Sequence, residues 1–228
     1  MDVVIRGIHQ ALAGTTLRLV SDRQADREIL MGSAGRPHMI RTTHTGPGER
    51  IATVTGDNVG SGVRMPGVAE RFISLNEYTG LKASRCSGGP ATADMVVEYL
   101  LDLTTQKWTV AAREWSQRDI VMVRPLEMLR VPASATSGET RVVGNRTARA
   151  IGAPLASSPA QGVFLTGDPA PNPAEFAPVQ SLWIDTVSLR PLRWEVSQRQ
   201  AIVNRVDFIY ESLVLRRPDG VSAPRCIP

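Results

Sequence analysis

The stretch Ser181–Val196, SLWIDTVSLRPLRWEV, decides how the rest of the chain is interpreted. Two runs of alternating apolar and polar residues flank a polar turn that contains a proline. This pattern predicts two β-strands joined as a hairpin. Because side chains alternate along a strand, Leu182 and Ile184 share one face, while Trp183 and Asp185 share the other.

The alternation continues into the following strands and predicts an apolar sheet face opposite a polar one. We expect Asp185 and Glu195 to point to the solvent side. The pattern shifts near Glu211, since Leu213 and Leu215 carry the apolar face beyond it, and this predicts a β-bulge. The residues assigned to the apolar face of the three strands are Leu182, Ile184, Leu192, Trp194, Val196, Val206, Phe208 and Tyr210.

The N-terminal half begins with a helix and continues as strands. Residues 3–13 place apolar side chains, Ile8 and Leu12 among them, on one stripe of an amphipathic helix, with Gly14 as its C-cap. Residues 15–22 alternate as a strand. Strand-like segments separated by Gly/Pro turns then predict an antiparallel meander, at Glu28–Met31, His38–Thr43 and Arg50–Thr55.

The middle of the chain has weaker patterns. Residues 68–78 admit a short helix with Val68, Phe72 and Leu75 on one side, and residues 93–115 admit helical and extended interpretations. Residues 139–152 predict a strand pair that turns at Gly144-Asn145. The proline-rich segment 152–178 is expected to be mostly loop.

Composition narrows the class of protein. The 228 residues are 42% hydrophobic and 21% charged, which is an ordinary globular mix, and we expect residues 1–228 to form a single domain. The net charge of +4 comes from scattered arginines, and aromatic residues make up only 5%. We therefore expect no nucleic-acid partner. The chain has no apolar run of 18 residues, so we expect no transmembrane segment.

The sequence predicts no catalytic residues, no metal ligands and no cofactor. It contains no GxSxG, Walker, HExxH or strand-linked GxGxxG motif. His38 and His44 would be about 20 Å apart along one extended strand, which is too far for one metal ion. The pair Asp185 and Glu195 lies on neighbouring predicted strands, but general acid/base chemistry needs a partly dry pocket.

The two cysteines, Cys86 and Cys226, lack the CxxC spacing of a metal or redox site. They form either one long-range disulfide, which would contribute about 4 kcal/mol, or two separate buried thiols. The N-terminus shows no signal peptide. The chain is therefore either cytosolic or starts after a removed signal.

The hairpin SLWIDTVSLRPLRWEV, followed by VDFIYESLVLRRP, resembles the LolA/LolB-like periplasmic lipoprotein-sorting proteins and their mycobacterial lipoprotein relatives. The opening helix VVIRGIHQALAG, leading into TTLRLVSD, resembles the start of that family. The resemblance covers about half of the chain. It implies a β-rich α+β fold, in which a strongly curved, unclosed antiparallel sheet forms a half-barrel with helices packed on its concave side.

In that family the concave side accepts acyl chains or other hydrophobic ligands. The resemblance also implies a periplasmic or otherwise extracytoplasmic location with the signal peptide removed, which suits a disulfide between Cys86 and Cys226. It admits a lipoprotein or a membrane-associated protein as a partner, besides the hydrophobic small molecule or lipid.

The leading hypothesis is a non-enzymatic extracytoplasmic binding protein or carrier that holds a lipid or acyl chain against the concave sheet face. One alternative is a protein-interaction module of the same fold with a filled core. The other is a small enzyme whose site the sequence does not reveal. The residues expected to line the ligand cavity are Ile8, Leu12, Leu182, Ile184, Trp194, Val196, Val206, Phe208 and Tyr210.

Overall fold

The computed structural model describes most of the chain as strands. The described residues are 2–21, 26–44, 53–55, 58–60, 71–89, 93–115, 119, 124–127, 136–154, 179–198 and 201–227. The helices with described bounds are α1 (Asp2–Leu12) and α2 (Arg124–Glu127). The strands are β1 (Thr16–Ser21), β2 (Arg27–Met31), β3 (Pro37–His44), β4 (Thr53–Thr55), β5 (Asn58–Gly60), β6 (Phe72–Lys82), β7 (Asp94–Asp102), β8 (Lys107–Glu114), β9 (Thr136–Val143), β10 (Arg146–Pro154), β11 (Val179–Asp185), β12 (Pro191–Gln198) and β13 (Ala201–Tyr210).

Among the described residues, eleven strands form one antiparallel sheet in the order β8-β7-β6-β3-β2-β1-β13-β12-β11-β10-β9, and β4 pairs with β5 separately. The outermost strands, β8 and β9, are not paired with each other, so the sheet is unclosed. It curves into a half-barrel, which confirms the predicted fold class. At its centre β1 pairs with β13, where Leu17 lies opposite Tyr210. The N-terminal strands β1–β3 and the C-terminal strands β11–β13 are therefore two parts of one sheet.

Helix α1 packs on the concave side because its apolar stripe matches the apolar sheet face. Ile8 and Leu12 are completely buried. The helix ends as predicted, since Gly14 adopts a positive φ of 67° after its last turn. The cluster around α1, called the concave core below, comprises Ile8, Leu12, Leu17, Leu19, Ile29, Met31, Ile40, Leu126, Ile151, Leu182, Ile184, Trp194, Val196, Val206 and Phe208.

The β2–β3 turn fixes the height of α1 above the sheet. Gly35 in this turn has a φ of +66°, and a Cβ at this position would lie 2.1 Å from the backbone oxygen of His9. The imidazole Nδ1 of His9 donates to the backbone oxygen of Gly35 at 3.1 Å. The helix and the turn therefore touch backbone to backbone, which only glycine allows here.

The chain after Tyr210 covers the convex side of the sheet. Strand β13 ends at Tyr210, so the predicted continuation of the strand past a β-bulge near Glu211 is wrong. The apolar pattern shifts there because the chain leaves the sheet and packs onto its other face. The cluster it covers, called the tail-side cluster below, comprises Met39, Leu75, Ala83, Met95, Val97, Tyr99, Ala112, Leu215 and Ile227.

Covalent and polar contacts attach this C-terminal tail. Cys86 and Cys226 form a disulfide with 5.2 Å between their Cα atoms, which confirms the bridge. Beside it, the N–H of Cys86 donates to the oxygen of Ile227 at 2.9 Å. The guanidinium of Arg217 donates two hydrogen bonds of 2.7 Å to the buried carboxylate of Glu77.

The tail also explains why the middle of the chain is hard to interpret from sequence. Residues 72–82 form strand β6, so the predicted short helix over 68–78 is wrong in its described part, and Val68 lies outside the described residues. Strand β6 is buried on both faces around Ser74–Glu77, so polar and apolar residues do not alternate cleanly. Residues 93–115 are extended rather than helical, as β7 and β8.

Candidate functional site

The strand register shows which side chains share the concave face, because directly opposite residues point to the same side of a sheet. In one row across neighbouring strands, Ser74 lies opposite Thr42, Thr42 opposite Arg27, Arg27 opposite Leu19, and Leu19 opposite Phe208. In this row the concave face changes from polar to apolar between β2 and β1, whereas in the next row Ile40 and Ile29 extend the apolar part to β3. We call the part formed by β1 and β10–β13 the apolar half, and the part formed by β3 and β6–β8 the polar half.

The apolar half and helix α1, which packs on it, together contain all of the residues predicted to line a ligand cavity. Eight of the nine are buried members of the concave core, and Tyr210 packs against it partly buried. Trp194 is 2% exposed, and its indole N–H donates to Gln180 Oε1 at 3.3 Å. The hydroxyl of Tyr210 donates to the oxygen of Pro191 at 2.9 Å, and burial raises the pKa of Tyr210.

One residue assigned to this face by sequence alternation lies elsewhere. Leu192 packs partly buried with Trp183 on the convex side, so its predicted place beside Trp194 is wrong. The β11–β12 register shifts between Trp183 and Ile184. Arg193 is opposite Trp183, and Pro191 is opposite Ile184, so Leu192 is an extra residue that the shift turns to the other face.

A cavity of about 260 Å³ opens at one end of the apolar half. Its floor is Ile151 and Ile184, which also belong to the concave core. The first turns of α1 and the β11–β12 turn form its sides. The cavity is lined by Val4, Arg149, Ile151, Ile184, Asp185, Thr186 and Leu189.

Asp185 builds the turn that forms one side of the cavity. Its carboxylate accepts the N–H groups of Val187 and Ser188, at 2.8 and 3.2 Å, and a bond of 3.0 Å from Arg146. Asp185 is 5% exposed, so the prediction that it points to solvent is wrong. Burial raises the pKa of Asp185, but these hydrogen bonds outweigh it and hold the pKa below its ordinary value.

The same turn presses Leu189 against α1. Leu189 adopts a positive φ of 58°, which is unusual for a residue with a branched side chain. A Cβ on Gly7 would lie 2.6 Å from Leu189 Cδ1, so the glycine makes room for the leucine beside the helix. This contact fixes the cavity wall that faces Val4.

Arg149 gives the cavity a positive charge. It lies opposite Ile184 on the concave face and is exposed. In the described part of the chain no carboxylate forms an ion pair with it. The cavity therefore combines an apolar floor with the cation of Arg149, while Asp185, which also lines it, is paired with Arg146.

The polar half contains a buried ionic network. The guanidinium of Arg113 donates to both carboxylate oxygens of Asp119, at 2.7 and 2.8 Å, and to Asn76 Oδ1 at 3.0 Å. Its Nε lies 3.8 Å from Glu98 Oε2. The hydroxyl of Tyr78 donates to Asp119 Oδ1 at 3.3 Å. Desolvation lowers the pKa of Arg113, but the hydrogen bond and charge of Asp119 outweigh it and raise the pKa above its usual value.

Several buried polar atoms in this half have no hydrogen-bond partner among the residues that the structure describes. They include the hydroxyl oxygens of Thr42 and Ser74, the Nδ2 of Asn76 and the Nε of Arg113. Thr42, Ser74 and Asn76 are 4%, 1% and 0% exposed. At the border with the apolar half, desolvation lowers the pKa of Arg27 to about 10.

The convex face of strands β11 and β12 is also covered. Glu195 is 6% exposed and accepts hydrogen bonds from Trp183 Nε1 at 2.8 Å and from Arg141 Nη2 at 2.6 Å. The Arg141 guanidinium stacks 3.7 Å above the Trp183 ring. The prediction that Glu195 points to solvent is therefore wrong, because an arginine from β9 covers this face.

Sequence reasoning missed Val4, Arg149 and the polar half. Arg149 falls in a predicted strand next to Ile151, so strand alternation places it on the same face as an apolar residue. The position of Arg149 on the face of Ile151 was the sequence feature that could have identified it. No sequence feature identified the polar half, because polar residues in a strand are ordinarily assigned to the solvent face.

Within the described residues, no group of three or more His, Cys, Asp and Glu side chains could hold a metal ion. In the same part of the chain, no helix is long and apolar enough to cross a membrane.

Comparison with known proteins gives weak similarities only. No protein-family profile matches the chain, and no curated protein sequence does. Among solved structures, the lipoprotein LppX of Mycobacterium tuberculosis is 12% identical over 92% of this chain and 92% of its own, with a TM-score of 0.37. LprF from Mycobacterium bovis is 10% identical over 96% of this chain and 97% of its own, with a TM-score of 0.33. Similarity at this level carries no argument about function.

Proposed function

We propose that this chain acts, as one half-barrel domain outside the cytoplasm, as a non-enzymatic binding protein or carrier for a hydrophobic ligand such as a lipid or acyl chain. The cavity beside Ile151 and Ile184 carries this proposal. It adjoins the concave core directly, so an apolar chain inside it would contact apolar side chains of both sheet and helix. The disulfide between Cys86 and Cys226 supports an oxidising compartment.

The size and lining of the cavity suit the apolar part of a ligand. Its volume of about 260 Å³ lies just below the roughly 300–1,000 Å³ typical of small-molecule pockets. Burial of an acyl chain gains about 0.8 kcal/mol per CH₂ group, so binding needs no catalytic polar group. Of the nine predicted residues, only Ile184 lines this cavity, and the other eight lie in or against the core behind it.

Arg149 would orient the ligand. A carboxylate or another polar end group placed at the cavity opening would meet its guanidinium, while the apolar chain points towards Ile151. A cation at the edge of an apolar site favours this direction of entry over the reverse, because the reverse would bury the polar end without a partner.

Native mass spectrometry and ligand titration test the proposal. The purified protein is expected to carry lipid, or to bind dodecanoate with a measurable dissociation constant by isothermal titration calorimetry. Val4→Trp, which narrows the opening, should weaken dodecanoate binding about tenfold, the effect of losing roughly 1.4 kcal/mol. Val3 precedes it on α1 and does not line the cavity, so Val3→Trp is the matched control and should leave binding unchanged.

Two results would contradict the proposal. One is the absence of both co-purified lipid and dodecanoate binding in a folded, disulfide-bonded sample. The other is an equal loss of binding in Val3→Trp and Val4→Trp, since the effect would then not come from the cavity.

A further inference from the structure

The strand register gathers several turns at the end of the half-barrel where the cavity opens. Strand β1 begins opposite the end of β2, since Thr16 pairs with Leu30. It also begins opposite the end of β13, since Leu17 pairs with Tyr210. Strands β10 and β12 begin at that same end. The β2–β3, β9–β10 and β11–β12 turns therefore lie together, at what we call the turn end.

Helix α1 crosses the turn end and contributes to its surface. Gly7 of the helix lies against Leu189 of the β11–β12 turn, so the first turns of the helix adjoin that turn. Val187 of the turn is 91% exposed, and Val3 of the helix is 73% exposed. Two adjoining elements thus each hold an aliphatic side chain in water, although burial of such a group is favourable.

A third exposed valine lies on the β9 side of the cavity. Val142 is 68% exposed and lies opposite Thr147 of β10. The backbone oxygen of Thr147 accepts the N–H of Thr186, which lines the cavity. Neighbouring strands are about 4.8 Å apart, so Val142 lies within roughly 10 Å of the cavity wall. Together with Val4 of the cavity lining, which is 42% exposed, these valines form an apolar rim of Val3, Val4, Val142 and Val187.

The charge beside the apolar rim is positive. Arg6 on α1, Arg36 in the β2–β3 turn and Arg149 on β10 are exposed. Among the described side chains, no carboxylate forms an ion pair with these three arginines. Asp185, the carboxylate in the cavity lining, is buried and paired with Arg146. The turn end therefore carries uncompensated positive charge next to exposed aliphatic groups.

This combination favours a bilayer surface over a protein partner. A second copy of the chain would bring a second set of unpaired arginines against the first, and like charges repel. Another protein would have to match the shapes of a helix, a strand edge and a turn at once. An anionic bilayer adapts to all three, since it offers phosphates to the guanidinium groups and an apolar interior to the valines.

We propose that the turn end docks on an anionic lipid bilayer, with the apolar rim among the headgroups and the arginines on lipid phosphates. The docking surface stands on its own residues, whereas its use in loading the cavity rests on the proposed function. In the docked protein the cavity opens towards the bilayer, so a lipid enters it without crossing water.

Vesicle flotation tests the charge of the surface. The protein should float with vesicles of phosphatidylcholine and phosphatidylglycerol at low salt, bind vesicles of phosphatidylcholine alone more weakly, and be released at high salt, which screens exposed charges. Arg6→Gln should weaken binding to the anionic vesicles about fivefold, the effect of one arginine near such a surface. Arg71→Gln is the matched control, because Arg71 is exposed next to the start of β6, at the opposite end of the sheet.

A double variant tests the apolar rim. Val3→Ser/Val187→Ser should weaken binding to the anionic vesicles at least about tenfold, which corresponds to about 1.4 kcal/mol, because two valines lose their burial. Neither valine lines the cavity, so dodecanoate binding should stay unchanged. The control Val179→Ser/Ile202→Ser removes two exposed aliphatic groups at the opposite end, where both lie opposite Ser197. It should leave vesicle binding unchanged.

A protein that binds dodecanoate but floats with neither kind of vesicle would overturn the docking inference and leave the proposed function intact. Equal losses of vesicle binding in the two double variants would also overturn it, since the turn end would then not be the contact. Light scattering without vesicles tests the second copy: a dimer that Val3→Ser/Val187→Ser converts to a monomer would assign the surface to self-association instead. Vesicle binding without dodecanoate binding would support the docking and refute the proposed function alone.

Discussion

Replacing Gly35 with alanine tests whether α1 is held on the concave face as the structure has it. The new Cβ would lie 2.1 Å from the backbone oxygen of His9, so the turn and the helix must separate. The hydrogen bond from His9 to Gly35, worth about 1 kcal/mol, would be lost. The positive φ adds about 1–2 kcal/mol for a residue with a Cβ. We expect Gly35→Ala to lower the free energy of unfolding by about 2–4 kcal/mol.

Gly14→Ala is the matched control, because Gly14 has a φ of +67° but nothing within 4 Å of its would-be Cβ. Gly14→Ala should lower the free energy of unfolding only by the cost of a positive φ, about 1–2 kcal/mol. Urea unfolding, with hydrogen exchange of the α1 amides as a second measurement, compares the two variants. For each kcal/mol of unfolding free energy that Gly35→Ala loses beyond Gly14→Ala, its Tm should lie about 2–4 °C lower. Equal losses in both variants would refute the backbone contact between α1 and the turn.

Three further predictions concern the disulfide, the concave core and the cavity turn. Cys86→Ser/Cys226→Ser should lower the free energy of unfolding by up to about 5 kcal/mol in urea, because the bridge closes a loop with a sequence separation of 140. Reductant should destabilise the parent but not this variant. Trp194→Ala should cost about 3–5 kcal/mol, as for a buried tryptophan, and a loss below about 1 kcal/mol would place Trp194 at an open wall instead. Asp185→Asn should lower the free energy of unfolding at neutral pH. Because folding lowers the pKa of Asp185, its carboxylate stabilises the fold above the unfolded pKa near 4. The difference in free energy of unfolding between variant and parent should therefore narrow as the pH falls through the folded pKa.

The sequence predicts the C-terminal strands well because their concave side is uniformly apolar. Leu182, Trp194 and Phe208 recur at a period of two, and the structure brings them into one cluster. The exception, Leu192, follows from a register shift between β11 and β12, which places Pro191 opposite Ile184 and leaves Leu192 unpaired in the register. Alternation cannot reveal such a shift, because the extra residue looks like an ordinary member of the strand.

The polar residues of the hairpin were mispredicted for a different reason. Asp185 and Glu195 occupy the face opposite the core, and a sheet with one solvated face would expose them. The structure covers them with arginines from β9 and β10, namely Arg141 and Arg146. Those contacts join residues 39 or more positions apart in sequence, so no local pattern reports them.

Strand β6 illustrates the same limit more strongly. Its concave side carries Ser74 and Asn76, and its convex side carries Leu75 under the C-terminal tail. Both sides are buried, so burial does not alternate and the spacing of Phe72 and Leu75 resembles a helix. The tail that causes this is attached through Cys226, far away in sequence. The disulfide could be considered from two cysteines alone, but the surface it covers could not.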